Sequence, residues 1–260
     1  MIPHFFGSPE APLFGMYTPP RASTARDAAI LICSPIGLEY LRTHYAMRLL
    51  AKQLSDAGLH VLRFDYHGTG DSSGEVGAGQ FDVWVNDVAL AADELLEISG
   101  VDSLTVVGLR TGAQLAIEAL ARKGLRVRGL VLWDPVISGR EYIAMLERMQ
   151  SNVVLERITP PQPTDELLGS HFPTDLRAAI EGFDMESRVR IVDADAAAVV
   201  VSEDQPEYRA LLTGMQGRWP DTMYRTMDDP AKWDSVREAF DVHKTGPIVR
   251  AVAEVAESLV

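Results

Sequence analysis

Leu104-Thr105-Val106-Val107-Gly108-Leu109-Arg110-Thr111-Gly112-Ala113-Gln114-Leu115 reads as a strand, a tight turn and the start of a helix. The apolar run Leu104 to Gly108 fits a buried strand, and Thr111 to Lys123 is Ala- and Leu-rich with helical spacing. A turn this abrupt holds the residue at its apex in a strained backbone conformation. Side chains on the neighbouring turns would collide there, so Gly108 and Gly112 flank the apex. The apex residue is Arg110.

Outward from this turn the same alternation repeats. Val127 to Asp134 is the next strand. On the other side lie the strand Ala29 to Cys33, a helix from Thr43 through Ala57 that stops at Gly58, and the strand Val61 to Asp65. Phe81 to Ile98 reads as an amphipathic helix with Asp82, Asp87, Asp93 and Glu94 turned outward. Such alternation from residue 29 to 134 predicts an α/β fold, a doubly wound and mostly parallel sheet. Ligands of such sheets sit beyond the carboxyl ends of the strands. Here those ends are Cys33-Ser34, Asp65-Tyr66-His67, Leu109-Arg110-Thr111 and Asp134-Pro135. Phe5-Phe6 and Leu13 to Tyr17 flank a turn and predict an N-terminal antiparallel hairpin.

The alternation stops after Ser138. Gly139 to Gln150 looks helical, Pro160-Pro161-Gln162-Pro163 is a breaker, and Glu166 to Phe183 is mixed. Residues 138–194 are therefore expected to form a cap inserted in a core of residues 1–137 and 195–260. The core resumes with a strand at Ala196 to Ser202, a helix at Pro206 to Met215, a strand at Thr222 to Met227 and a last helix at Pro247 to Leu259. Tyr142, Met145, Leu146, Met149 and Phe172 of the insertion offer an apolar lining for a pocket.

A net charge of -13 argues against nucleic acid or an anionic membrane surface as partner. Cys33 is the single cysteine, so no internal disulfide forms, which suits a reducing cytoplasm. The N-terminus has no signal-peptide pattern, and no apolar run approaches the about 20 residues of a membrane span. A cytoplasmic protein is expected. There is no His or Cys pair at metal-ligand spacing, no P-loop and no dinucleotide fingerprint, so no metal or cofactor is expected.

Gly108-Leu109-Arg110-Thr111-Gly112 resembles the G-x-S-x-G nucleophile elbow of α/β-hydrolases, with Arg in place of Ser. Asp65-Tyr66-His67-Gly68-Thr69-Gly70-Asp71-Ser72 resembles the D-x-x-G-x-G-x-S loop of the serine aminopeptidase-like group. The two motifs come in the right order, each after its own strand. The chain looks like a bacterial subgroup similar to the hydrolases associated with exosortase systems, in which an Arg elbow also occurs. The resemblance implies an esterase or thioesterase ancestry. It places the oxyanion loop at Cys33-Ser34-Pro35-Ile36-Gly37-Leu38-Glu39-Tyr40 and the triad acid at Asp204, or at Asp134 one strand earlier. It places the triad histidine at His243, with His67 as a topological alternative.

A guanidinium stays protonated and cannot attack a carbonyl. Three readings remain. Arg110 holds an anionic or acyl small molecule, or holds it while another group moves a proton, beside Leu109 and the residues at the strand ends, including Cys33, Ser34, Pro35, Glu39 and His67. Alternatively the nucleophile has moved to Thr111, Cys33 or Ser34. Alternatively the site is dead and the fold serves a protein partner or a homodimer. A buried guanidinium needs a counter-charge, so Asp134 or Glu39 is expected to pair with Arg110.

Overall fold

The computed structural model describes residues 1–21, 25–77, 80–156, 165–227, 233 and 246–260. The main sheet has eight strands: β1 (Ile2–Ser8), β2 (Ala11–Thr18), β3 (Ala29–Cys33), β4 (His60–Phe64), β5 (Leu104–Leu109), β6 (Val127–Trp133), β9 (Ala194–Val201) and β10 (Met223–Thr226). Their spatial order is β1-β2-β4-β3-β5-β6-β9-β10. The hairpin β1–β2 is antiparallel and joins β4 antiparallel, and every other neighbouring pair is parallel. The expected doubly wound architecture is present.

Strands β3 and β5 are buried at every residue, as continuous apolar runs in a sheet covered on both faces should be. One core layer lies between the sheet and helices α2 (Gln80–Ser99) and α3 (Thr111–Lys123). The other lies beneath α1 (Gly37–Asp56) and α8 (Gly246–Ser258). Strand order reverses between β4-β3 and β3-β5, so the chain leaves adjacent strands in opposite directions at the end of β3. That reversal opens the crevice where such sheets bind ligands, and Arg110 follows β5 there.

Between β6 and β9 the chain makes an excursion of α4 (Gly139–Glu156), a two-stranded ribbon of β7 (Glu166–Leu167) and β8 (Ser170–His171), α5 (Thr174–Glu181) and α6 (Met185–Val189). Pro160 to Pro163 lies outside the described residues. Helix α7 (Pro206–Gln216) follows β9, with Pro at its first turn. Among the described residues no helix is long and apolar enough to cross a membrane.

Two expectations are corrected. Helix α1 begins at Gly37 rather than Thr43, so Glu39 lies in its first turn and not in a loop. Gly37 has φ of +60°, a conformation glycine enters without strain, and this lets the helix start directly after the bend. Asp87 does not face solvent: it is 1% exposed and its carboxylate takes the backbone N–H of His67 at 2.9 Å.

The excursion is tied to α3 by a buried carboxylate. Glu118 accepts from Arg122 of its own helix at 2.5 Å and from Arg188 of α6 at 2.9 Å. Both arginines reach solvent, so removing the carboxylate strands no buried cation. Glu118→Gln should lower stability by about 1–3 kcal/mol, read by urea denaturation. It should also speed amide exchange in α6 ahead of the sheet.

Candidate functional site

Arg110 has φ 53° and ψ −121°, positive-φ geometry that a side chain other than glycine's rarely adopts. This is the strained apex the sequence predicts. A methyl group on Gly108 would lie 2.5 Å from Ala113 Cα, and one on Gly112 would lie 2.2 Å from the Cys33 carbonyl oxygen. Both glycines are therefore obligatory for the close approach of the turn to β3 and α3.

The side chain of Arg110 is 7% exposed. Its Nε donates to Glu39 Oε1 at 3.1 Å, and Nη1 donates to the backbone carbonyl of Asp134 at 3.2 Å. The guanidinium carbon lies 5.0 Å from the Trp233 ring centre and 5.7 Å from that of Tyr142, both within cation–π range. Tyr142 also donates its hydroxyl to Glu39 Oε2 at 3.3 Å. Burial pulls the Arg110 pKa down, but Glu39, Tyr208, Tyr142 and Asp134 outweigh it, and the group stays charged. The expected counter-charge is thus Glu39, reached by its side chain. Asp134 contributes its carbonyl.

The Asp134 carboxylate points elsewhere. Oδ1 accepts from the Ser202 backbone N–H at 2.7 Å and from the Ser202 hydroxyl at 3.1 Å, and Oδ2 accepts from Trp233 Nε1 at 3.2 Å. Burial pushes this carboxyl above the ordinary aspartate value, against the lowering by Ser202, Arg110 and Trp233.

Other predicted site residues are placed as follows. Thr111 is buried and opens α3, but it does not cap it: its hydroxyl accepts the Ile36 backbone N–H at 3.0 Å. Cys33 is fully buried, and burial pushes its thiol well above the ordinary range. Ser34 is buried, and its carbonyl accepts the Tyr66 hydroxyl at 3.0 Å. Leu109 lies in the core beneath the turn, on the α1 side. Pro35 does not line the cavity beside Arg110 but a second one across the loop.

Asp204 is not brought to the site. It pairs with Arg209 and accepts the Tyr224 hydroxyl at 2.7 Å, and these two hydrogen bonds hold its carboxyl down at about 2. His67 is likewise held apart: Nδ1 lies 2.7 Å from Asp87 Oδ1 and Nε2 lies 3.0 Å from the Ala11 carbonyl. It fixes the glycine loop to the N-terminal hairpin. His243 lies outside the described residues. Trp233, Tyr208 and Ser202 border Arg110 without having been singled out as site residues.

A cavity of about 390 Å³ opens beside Arg110. Val136, Ile137, Tyr142 and Met145 supply apolar wall, while Glu141, Glu203, Glu207 and Arg148 bring charge. Of the other insertion residues predicted to line it, Leu146, Met149 and Phe172 pack in the core. Among the described residues no group of three or more His, Cys, Asp or Glu is placed to hold a metal.

Glu39→Gln should leave Arg110 a buried cation without its counter-charge and cost about 3–5 kcal/mol, measured by chemical denaturation. Asp134 gives a pH signature. Its folded pKa is raised, so the folded state binds more protons, and its contribution to stability declines as pH rises from the unfolded value near 3.8 through the folded one. The stability of the wild type relative to Asp134→Asn should therefore fall as pH is raised from about 4; a difference that stays flat up to neutrality rejects this assignment.

The family model for serine aminopeptidase, S33, matches residues 25–199. No curated protein matches the chain. Solved structures share its fold at low identity. Est1E from Butyrivibrio proteoclasticus, determined with ferulic acid bound, superposes with a TM-score of 0.67 at 15% identity, covering 98% of each chain. A proline iminopeptidase from Mycobacterium smegmatis gives 0.66 at 13% identity, over 99% of this chain and 98% of its own. VinJ gives 0.65 at 15% identity, over 100% and 99%. The ordered motifs, the sheet and the matched family model agree: the chain is an α/β-hydrolase-fold protein of the serine aminopeptidase S33 family.

Proposed function

We propose that this protein holds a small acyl compound in the cavity beside Arg110 without forming an acyl-enzyme. The observation that carries this reading is Arg110 itself, a charged guanidinium at the apex of an intact elbow. Such a group binds oxygen acceptors but cannot add to a carbonyl carbon.

The surroundings support it. In a hydrolysing elbow, the amide after the nucleophile and one from the loop after β3 stabilise the oxyanion. Here the Ile36 amide of that loop is already bonded to the Thr111 hydroxyl, and Pro35 has no N–H to offer. A relocated nucleophile fits poorly. Thr111, Cys33 and Ser34 are all buried, and the Cys33 thiol is held protonated by its surroundings.

The ligand class follows from the groups lining the cavity. The Arg110 N–H groups not used by Glu39 and Asp134 have no hydrogen-bond partner among the described residues. They can donate to an acceptor oxygen in the cavity. The charge of Arg110 is cancelled by Glu39, and Arg148 lines the cavity together with three carboxylates, Glu141, Glu203 and Glu207. That balance favours an uncharged acyl carbonyl, as in an ester or amide, over a free carboxylate. The excursion at 138–194 then acts as the cap: Tyr142 and Met145 come from it and close one wall.

A fluorophosphonate probe should leave the wild type unlabelled; labelling abolished by Ser34→Ala would overturn the reading. Calorimetric titration with short esters and amides should give saturable binding, with the matching carboxylates weaker. The Arg110→Gln/Glu39→Gln double variant leaves no lone buried charge and should weaken ester binding about tenfold or more.

A further inference from the structure

The loop Pro35–Gly37 separates two cavities. Arg110 lines the first. The second lies across the loop, has a volume of about 640 Å³ and shares no lining residue with the first. Its walls come from the start of α1, the glycine loop after β4, Trp84 of α2 and Phe172 after β8. Its volume falls within the range of small-molecule sites, about 300–1,000 Å³.

The walls are fixed in shape. Gly68 and Gly70 have φ of +73° and +53°, and a methyl group on either would collide with Val76 N at 2.6 Å or Asp65 Oδ2 at 2.1 Å. Phe172 packs against Gly37, with its ring 3.1 Å from where a Cβ would stand. Two polar groups in the wall are already committed. Trp84 Nε1 donates to the His67 carbonyl at 2.9 Å, and the Tyr40 hydroxyl donates to Asp65 at 2.7 Å. The apolar wall is Ile36, Val76, Trp84 and Phe172, with Leu41 65% exposed at the rim. An exposed leucine at the mouth of an apolar cavity is surface that a ligand can cover.

Charge selects among apolar ligands. Among the described residues no lysine or arginine lines this cavity, and its exposed ionisable side chains are Glu75 and His171, on a chain of net charge -13. An anionic head group would meet Glu75 with no cation beside it. We infer that this second cavity binds an apolar small molecule whose head group is uncharged or cationic, independently of the site at Arg110.

The test uses the full chain with three probes of equal alkyl length: 1-octanol, octylamine and octanoate, titrated by calorimetry and by tryptophan fluorescence at neutral pH. Octanol and octylamine should bind saturably, with octanoate about fivefold or more weaker than the amine. Glu75→Lys, an exposed change that disturbs no packing, should reverse the order of amine and carboxylate. Val76→Trp should fill the cavity and abolish binding of all three. The inference is overturned if no probe binds saturably, if octanoate matches octylamine, or if Glu75→Lys leaves the order unchanged. Fluorophosphonate labelling abolished by Ser34→Ala would sink the reading of the Arg110 site and leave this one standing.

Discussion

A guanidinium buried at the end of the central strand has to be neutralised and hydrogen-bonded where it sits, because an unpaired charge in a protein interior costs several kcal/mol. Most of what surrounds Arg110 answers that demand. Glu39 from the first turn of α1 supplies the opposite charge, the Asp134 carbonyl takes a second N–H, and Tyr142 and Trp233 place their rings beside it. These groups come from four separate parts of the chain, so this cluster also ties together α1, the end of β6, α4 and Trp233. The backbone beneath has kept the shape of a nucleophile elbow, with its positive φ and its two crowded glycines. The geometry evolved to present a reactive atom here presents a permanent cation.

The strand-helix alternation was legible because each buried strand is a short apolar run followed by a polar residue, and the sheet follows from that pattern. Pairing of Arg110 was legible as well, since acids at neighbouring strand ends are few and a buried arginine needs one. The start of α1 was not, because Pro35-Ile36-Gly37 reads as a turn. Asp87 was misread for a different reason: on an amphipathic helix a charge defaults to the solvent face. Its partner His67 lies 20 residues away and meets it only through the fold. Asp204 shows the limit of choosing between consecutive acids, where only the structure reveals that Arg209 and Tyr224 draw it aside. Trp233 sits in a stretch without periodicity and carries no signal of its own.

The two cavities divide the strand-end surface by chemistry. One is bordered by a compensated arginine with charge on its rim, the other by committed polar groups and apolar side chains. The loop between them is short and engaged on both sides: Ile36 bonds to Thr111 toward the elbow, and Gly37 touches Phe172 toward the second cavity. A shift of this loop would be felt in both.

The bond between the Ile36 amide and Thr111 also bears on how the protein could change over generations. Restoring serine at position 110 would leave Glu39 a buried carboxylate without its cation. It would also leave the loop amide occupied by the Thr111 hydroxyl rather than free for an oxyanion. Each single step back toward hydrolysis therefore loses stability before it regains reactivity. Glu39 and Thr111 would have to change together with Arg110, and the arginine elbow behaves as a one-way gate in sequence space.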